Sequence, residues 1–147
     1  MIGFMLMAVN GSIGLAQTNF YTNVTNLWYQ GYQTNVLNIA NARLVANTND
    51  FAGLLLKAHC HMKFLEIDAM SNTFFRVVQV GNTITTTNFV KRWQGRSDEI
   101  LLFLEELVEE PITPQEIQAE KNKTFLPLQP LPDAELIEAL QKDGYFD

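Results

Sequence analysis

Apolar residues recur at helical spacing through most of the chain and predict an all-α protein built from antiparallel helical hairpins. From Asn26 to Ala46, Trp28, Tyr32, Val36, Ile39 or Ala40, and Arg43 or Leu44 fall on one stripe, which predicts a first helix over 26–46. Its outward positions carry Asn and Gln where soluble helices commonly carry Lys and Glu, so packing rather than ion pairs must hold it. Asn47-Thr48-Asn49-Asp50 clusters capping and turn residues between two periodic runs and predicts the joint between two antiparallel helices. The second helix, Asp50 to about Ser71, has Phe51, Leu55, Ala58, Met62, Leu65 and Ala69 on one face and Leu56, Cys60, Phe64 and Ile67 on the other. Two apolar faces require two packing partners, so this helix is the expected organising element.

Ser71-Asn72-Thr73 is suited to cap a third segment, Phe74 to Val80, which ends at Gly81-Asn82. This segment is aromatic and β-branched, so a strand competes with a helix on propensity. Helix is preferred because no convincing second strand exists to pair with it. From Phe89 to Val108, Phe89, Trp93, Ile100, Leu104 and Leu107 keep helical register, with Gly95 and Ser97 as places to kink or break and Pro111 as the stop.

Beyond Pro111 the pattern changes. Thr113-Pro114-Gln115-Glu116 is a capping box with proline at the first helical position, predicting a short polar helix to about Lys123. Thr124 to Pro132 is punctuated by prolines and reads as extended. Asp133 is the expected cap of a last short helix carrying Leu136, Ile137 and Leu140, stopped by Gly144. The organisation expected is a helical core over 17–110 and an acidic, proline-containing arm over 111–147. That arm either wraps the core or reaches another chain.

Composition refines this picture in three ways. Hydrophobic residues make up 47% and charged residues 18%, the balance of a packed fold rather than a disordered chain. The net charge of −6 argues against nucleic acid as a partner. It is also uneven: the basic excess lies between Asp50 and Arg96, while the segment after it carries thirteen acidic residues against Lys121, Lys123 and Lys142. Finally, Met1 to Ala16 is uncharged and apolar, and Gly14 and Ala16 fit the −3 and −1 positions of a signal-peptidase site. Residues 1–16 therefore read as a signal peptide and the protein as exported, periplasmic or secreted. The stretch is too short to span a membrane, so no span is expected after cleavage.

One cluster looks chemical, His59-Cys60-His61. Residues two apart on a helix diverge by about 160°, so the histidines cannot chelate one ion, and the four-residue spacing of helical metal pairs is absent. The expected arrangement is a buried cysteine between two edge histidines, with no metal or cofactor. Lys91-Arg92-Trp93 with Arg96 mixes basic and aromatic residues, as phosphate sites do, but the plainer reading is a solvated face or a dock for the acidic tail. Glu105-Glu106 and Glu109-Glu110 read as a solvated helix end.

Ala42-Arg43-Leu44-Val45-Ala46-Asn47-Thr48-Asn49-Asp50-Phe51-Ala52-Gly53-Leu54-Leu55-Leu56-Lys57-Ala58, extended by Ala69 and Phe74, resembles a tetratricopeptide-type junction. There a helix ends, a short Asn/Asp turn follows, and the next helix opens on small and aliphatic residues. The likeness covers about residues 42–75, and no second copy appears at a period near 34 residues. It implies helical hairpins serving as a protein-interaction scaffold, with no catalytic residues to carry over. The function expected is thus a noncatalytic interaction or self-assembly module, with an unknown protein or a second copy as partner and Phe125, Leu128 and Tyr145 of the arm as contacts. The competing expectation is a small-ligand binder or enzyme with a pocket lined by Trp28, Tyr29, Tyr32, His61 and Trp93.

Overall fold

A computed structural model describes residues 19–123 and 127–146, so the expected signal peptide and Phe125 lie outside the described residues. Among the described residues every regular element is a helix: α1 (Phe20–Tyr29), α2 (Gln33–Ala46), α3 (Phe51–Lys63), α4 (Ile67–Gly81), α5 (Thr87–Glu109), α6 (Pro114–Lys121) and α7 (Ala134–Lys142). The all-α expectation holds. Phe74–Val80 lies within α4 and is not a strand. None of these helices is long and apolar enough to cross a membrane.

Two helices read as continuous in the sequence are each broken in two. The predicted helix over 26–46 divides at Gly31, whose φ is +90°. The Gly31 N–H donates to the Trp28 carbonyl at 3.0 Å and the Tyr32 N–H to that of Leu27 at 2.9 Å, a Schellman ending. Tyr32 consequently precedes α2 as an exposed residue instead of continuing the stripe of Trp28. The predicted helix from Asp50 to Ser71 divides in the same way at Leu65, with φ +60° and the equivalent pair of bonds from Leu65 to Met62 and from Glu66 to His61. Leucine in this conformation costs on the order of 1–2 kcal/mol. Ser71-Asn72-Thr73 therefore caps nothing; it sits inside α4, where the Thr73 hydroxyl donates to the Ala69 carbonyl at 2.7 Å.

The first half of that predicted helix is two-faced as expected. Leu55 and Ala58 on one side of α3 and Leu56 and Cys60 on the other are all fully buried, with α2 and α4 as the partners. Asp50 starts α3 by accepting from the Gly53 N–H at 2.8 Å, and its carboxylate is gripped by Arg43 at 2.6 and 3.0 Å. The grip ties the end of α2 to the start of α3. Phe64, at the end of α3, and Ile67, beyond the break, are only half-buried.

The start of α3 and the end of α4 meet α5 at an aromatic cluster. Phe51 packs edge-on against Phe89 and Trp93, with centroids at 4.9 and 5.3 Å, and the Trp93 indole N–H donates to the Asn82 side-chain oxygen at 2.9 Å. Gly81 makes this approach possible: a Cβ there would lie 2.3 Å from a carbon of the buried Trp93 ring. Glycine to alanine within a helix ordinarily stabilises by up to about 1 kcal/mol. Here the sign should reverse. Gly81→Ala is expected to lose about 2 kcal/mol through overpacking, measured by urea unfolding; a gain in stability would show that the contact is not made.

α5 runs uninterrupted past Gly95 and Ser97. Its buried residues, Phe89, Trp93, Ser97 and Ile100, all lie in its first fourteen positions. α6 opens with the expected capping box, Thr113 accepting from the Glu116 N–H at 3.1 Å and Glu116 from the Thr113 N–H at 3.0 Å.

The core does not end at residue 110. Leu131, Leu136, Ile137, Ala139 and Leu140 are buried members of it, and α7 packs on α1 and α5. Polar contacts fix the C-terminal end of α7. Asp143 accepts from the Asn88 and Phe89 backbone N–H groups at 3.2 and 3.0 Å, capping α5 from outside, and Gln141 accepts from the Tyr21 N–H at the start of α1 at 3.0 Å. Gly144, with φ +79°, ends α7 as expected.

Candidate functional site

Asp133 stands at the N-cap position of α7 but does not cap it. Its backbone is left-handed at φ +60°, and its carboxylate makes no bond to the first turn. The side chain turns instead toward α3 and α5. The Arg96 guanidinium donates to both carboxylate oxygens, from Nε at 2.6 Å and from a terminal nitrogen at 3.0 Å, and His59 Nε2 lies 2.7 Å from Oδ2. Burial pushes the Asp133 carboxyl up, but the bonds from His59 and Arg96 outweigh it and hold the group below the ordinary carboxylate range. An ionised Asp133 requires the proton of this pair to sit on His59 Nε2. His59 is thus buried, 3% exposed, and not an edge residue as the sequence suggested.

His61 points elsewhere, its Nδ1 2.8 Å from Glu66 across the break after α3. The two histidines therefore engage different carboxylates on different sides of the helix. Between them the Cys60 thiol lies 3.6 Å from the Gln33 carbonyl, and burial pushes its pKa up to about 12. Native protein at neutral pH is expected to leave a disulfide thiol reagent unreacted, with one equivalent of reaction appearing on unfolding. Reaction at the rate of a free thiol in the native state would contradict the packing.

His59 forms part of the wall of a cleft of about 660 Å³ between α1, the end of α3, and the segment around α6, lined also by Trp28, Met62, Phe64, Lys121 and Pro130. Of the aromatic pocket expected from the sequence, only Trp28 is here. Tyr29 and Tyr32 are exposed, and Trp93 is in the core. Leu128 is exposed beside Gly31, within 3.9 Å of where a Cβ would stand, while Tyr145 lines a separate depression with Arg76 and Thr86. The residues named from the sequence do not converge on one site. Of the basic group, Arg96 does dock the acidic tail, through Asp133, while Lys91 and Arg92 are exposed.

A second concavity, about 560 Å³, was not legible in the sequence. It lies between α4, the outer half of α5 and α6, with Ile67, Phe75, Leu104, Leu107, Val108, Ile112 and Ile117 supplying apolar walls and Asp68, Ser71 and Asn72 a polar edge. Two of its wall residues are strongly exposed, Val108 at 79% and Phe75 at 53%. Here the first turns of α4 face the outer half of α5, whose Phe103, Leu104 and Leu107 pack only half-buried against the core, and α6 lies beside it with Ile117 as its single half-buried residue. Leu104 and Leu107 hold the helical register read from the sequence, but register does not show that they border an opening.

The described residues define an all-helical protein. No family model, curated protein or solved structure matches the chain.

Proposed function

We propose that the protein is a noncatalytic helical interaction module, exported after removal of residues 1–16, that receives a partner chain in the groove between α4, α5 and α6. The observation that carries this reading is the outer half of α5. Residues 101–109 include no buried side chain, yet Leu104, Leu107 and Val108 line an apolar concavity continuous with Phe75 of α4. Contiguous exposed apolar surface rimmed by polar groups is the usual mark of a docking site, and a groove between helices suits an amphipathic helix.

Two further observations support it. The polar groups best suited to chemistry are engaged with one another: His59 and Arg96 with Asp133, His61 with Glu66. The resemblance of residues 42–75 to a tetratricopeptide junction falls on α2–α3–α4, the hairpins that carry one wall of the groove. Export rests on the apolar stretch and the Gly14/Ala16 spacing. The proposed contact region thus shifts from Phe125, Leu128 and Tyr145 to the groove, one wall of which is α6, the arm's own first helix, because α7 is occupied by its own core.

Phe75→Ser with Val108→Ser should leave the melting temperature within a few degrees, since both side chains are exposed, and should abolish capture of the partner that wild-type protein retains from its native source. Retention of the same partner by the double variant would overturn the groove. A second reading, a small-ligand binder, is favoured by the cleft beside Trp28 and His59; under it the double variant keeps its ligand, and a Trp28→Ala variant loses it.

A further inference from the structure

We infer that the occupant of the α4–α5–α6 groove is a cationic amphipathic helix of another protein. The inference rests on the docking reading above and adds the chemistry of the partner. From Asp98 to Glu120 the chain carries eight carboxylates and no Lys, Arg or His. This stretch supplies two of the three walls, the outer half of α5 and α6. Asp68 edges the groove on the α4 side, the exposed Glu105 follows Leu104 on α5, and the exposed Glu109 and Glu110 border an adjoining depression that shares Leu107 with the groove.

The arrangement is unfavourable for α5 taken alone. Glu105 and Glu109, and likewise Glu106 and Glu110, stand four residues apart, where like charges repel by a few tenths of a kcal/mol per pair. They also crowd the C-terminal end of a helix, where the macrodipole is already negative and cations are favoured. The last turn of α5 contains no basic residue. A helix end that breaks both rules beside an apolar groove is the kind of local conflict that function explains. A partner with Leu-type anchors at i, i+3, i+4 and i+7 and lysines or arginines along its flanks fills the apolar walls and neutralises the rim together. An anionic lipid surface is repelled by the same carboxylates, and the acidic α5–α6 face of a second copy is repelled likewise.

The test uses the whole chain and three helix-forming peptides about 18 residues long, roughly 27 Å, sharing one leucine face and carrying Lys, Gln or Glu on the other. Calorimetric titration should give binding for the Lys peptide that weakens about tenfold between roughly 0.05 and 0.5 M salt, weaker binding for the Gln peptide and none for the Glu peptide. Replacing Glu105, Glu109 and Glu110 together by Gln should raise the stability of the free protein and lower its affinity for the Lys peptide about tenfold, two effects of opposite sign that a merely structural role would not give. Equal, salt-indifferent binding of the Lys and Gln peptides would overturn the cationic partner and leave the groove standing. Undiminished binding of the Lys peptide to the Phe75→Ser, Val108→Ser variant would overturn the groove itself. Concentration-dependent self-association lost in that variant would replace the cationic helix with a second copy.

Discussion

Removal of residues 125–147 should abolish cooperative folding. The segment takes with it Leu131, Leu136, Ile137 and Leu140, each at most 4% exposed. At about 1.5–3 kcal/mol for each fully buried large aliphatic side chain, their loss is on the order of 6–12 kcal/mol as an upper value, comparable with the whole stability of a domain this size. The faces they covered on α1 and α5 are opened to water at the same time. Two helix starts lose their outside caps, the Asn88 and Phe89 amides to Asp143 and the Tyr21 amide to Gln141. The Phe20–Phe146 edge contact and the stacking of the Arg43 guanidinium on Phe146 go too. Circular dichroism of the truncated chain should show reduced helix and no cooperative thermal transition. A truncated protein melting sharply near the wild-type temperature would mean that the arm is separable from the core.

Replacement of Asp133 by alanine is expected to cost about 3 kcal/mol, the largest effect of any single polar residue here. The change leaves the His59 Nε2–H without its acceptor at a buried position, about 1–3 kcal/mol by itself. It also strips Arg96 of a two-point partner, a loss discounted because the Arg96 side chain is 30% exposed, and it forces alanine into the left-handed backbone at φ +60°. Asp133→Asn tolerates that backbone and keeps one acceptor oxygen, so it should cost about half as much. The acid limb supplies a further check. Because the folded-state pKa of Asp133 lies below its unfolded value of about 3.9, its contribution is fully present above about pH 4 and is lost as the pH falls through the folded value. The gap in unfolding free energy between wild type and Asp133→Asn should therefore be full near neutrality and narrow below about pH 4. Equal stabilities of the three proteins near pH 7 would show that the Asp133 contacts are not formed.

What could be read along the chain and what could not follow from the range of each signal. Helix identity came from apolar spacing, and ends marked by strong local chemistry, the Thr113 capping box, the Asn47–Asp50 turn and Gly144, were found where expected. The breaks at Gly31 and Leu65 were not. At Gly31 the aromatic stripe from Trp28 to Tyr32 suggested continuity across a glycine that was ending the helix. At Leu65 the apolar period crosses the break, and the residue that adopts the left-handed turn is one that usually avoids it. Asp133 misled in another way: its position and type suit a helix cap, and only tertiary structure shows that its carboxylate serves His59, 74 residues earlier, and Arg96, 37 residues earlier. The two concavities were illegible for the same reason. The groove depends on how the start of α4, the outer half of α5 and α6 come together, and the cleft on which elements meet Trp28, neither of which spacing along the chain encodes.

The claim that the α4–α5–α6 groove is the docking face is tested most directly by methyl-resolved NMR of isotope-labelled protein titrated with the cationic leucine-faced peptide. The methyl signals of Ile67, Leu104, Leu107, Val108, Ile112 and Ile117 should shift progressively, while those of Leu136, Ile137 and Leu140 under α7 stay in place. Shifts confined to Met62 and Leu65 beside Trp28, with the groove signals unmoved, would contradict it and move the binding site to the cleft above His59.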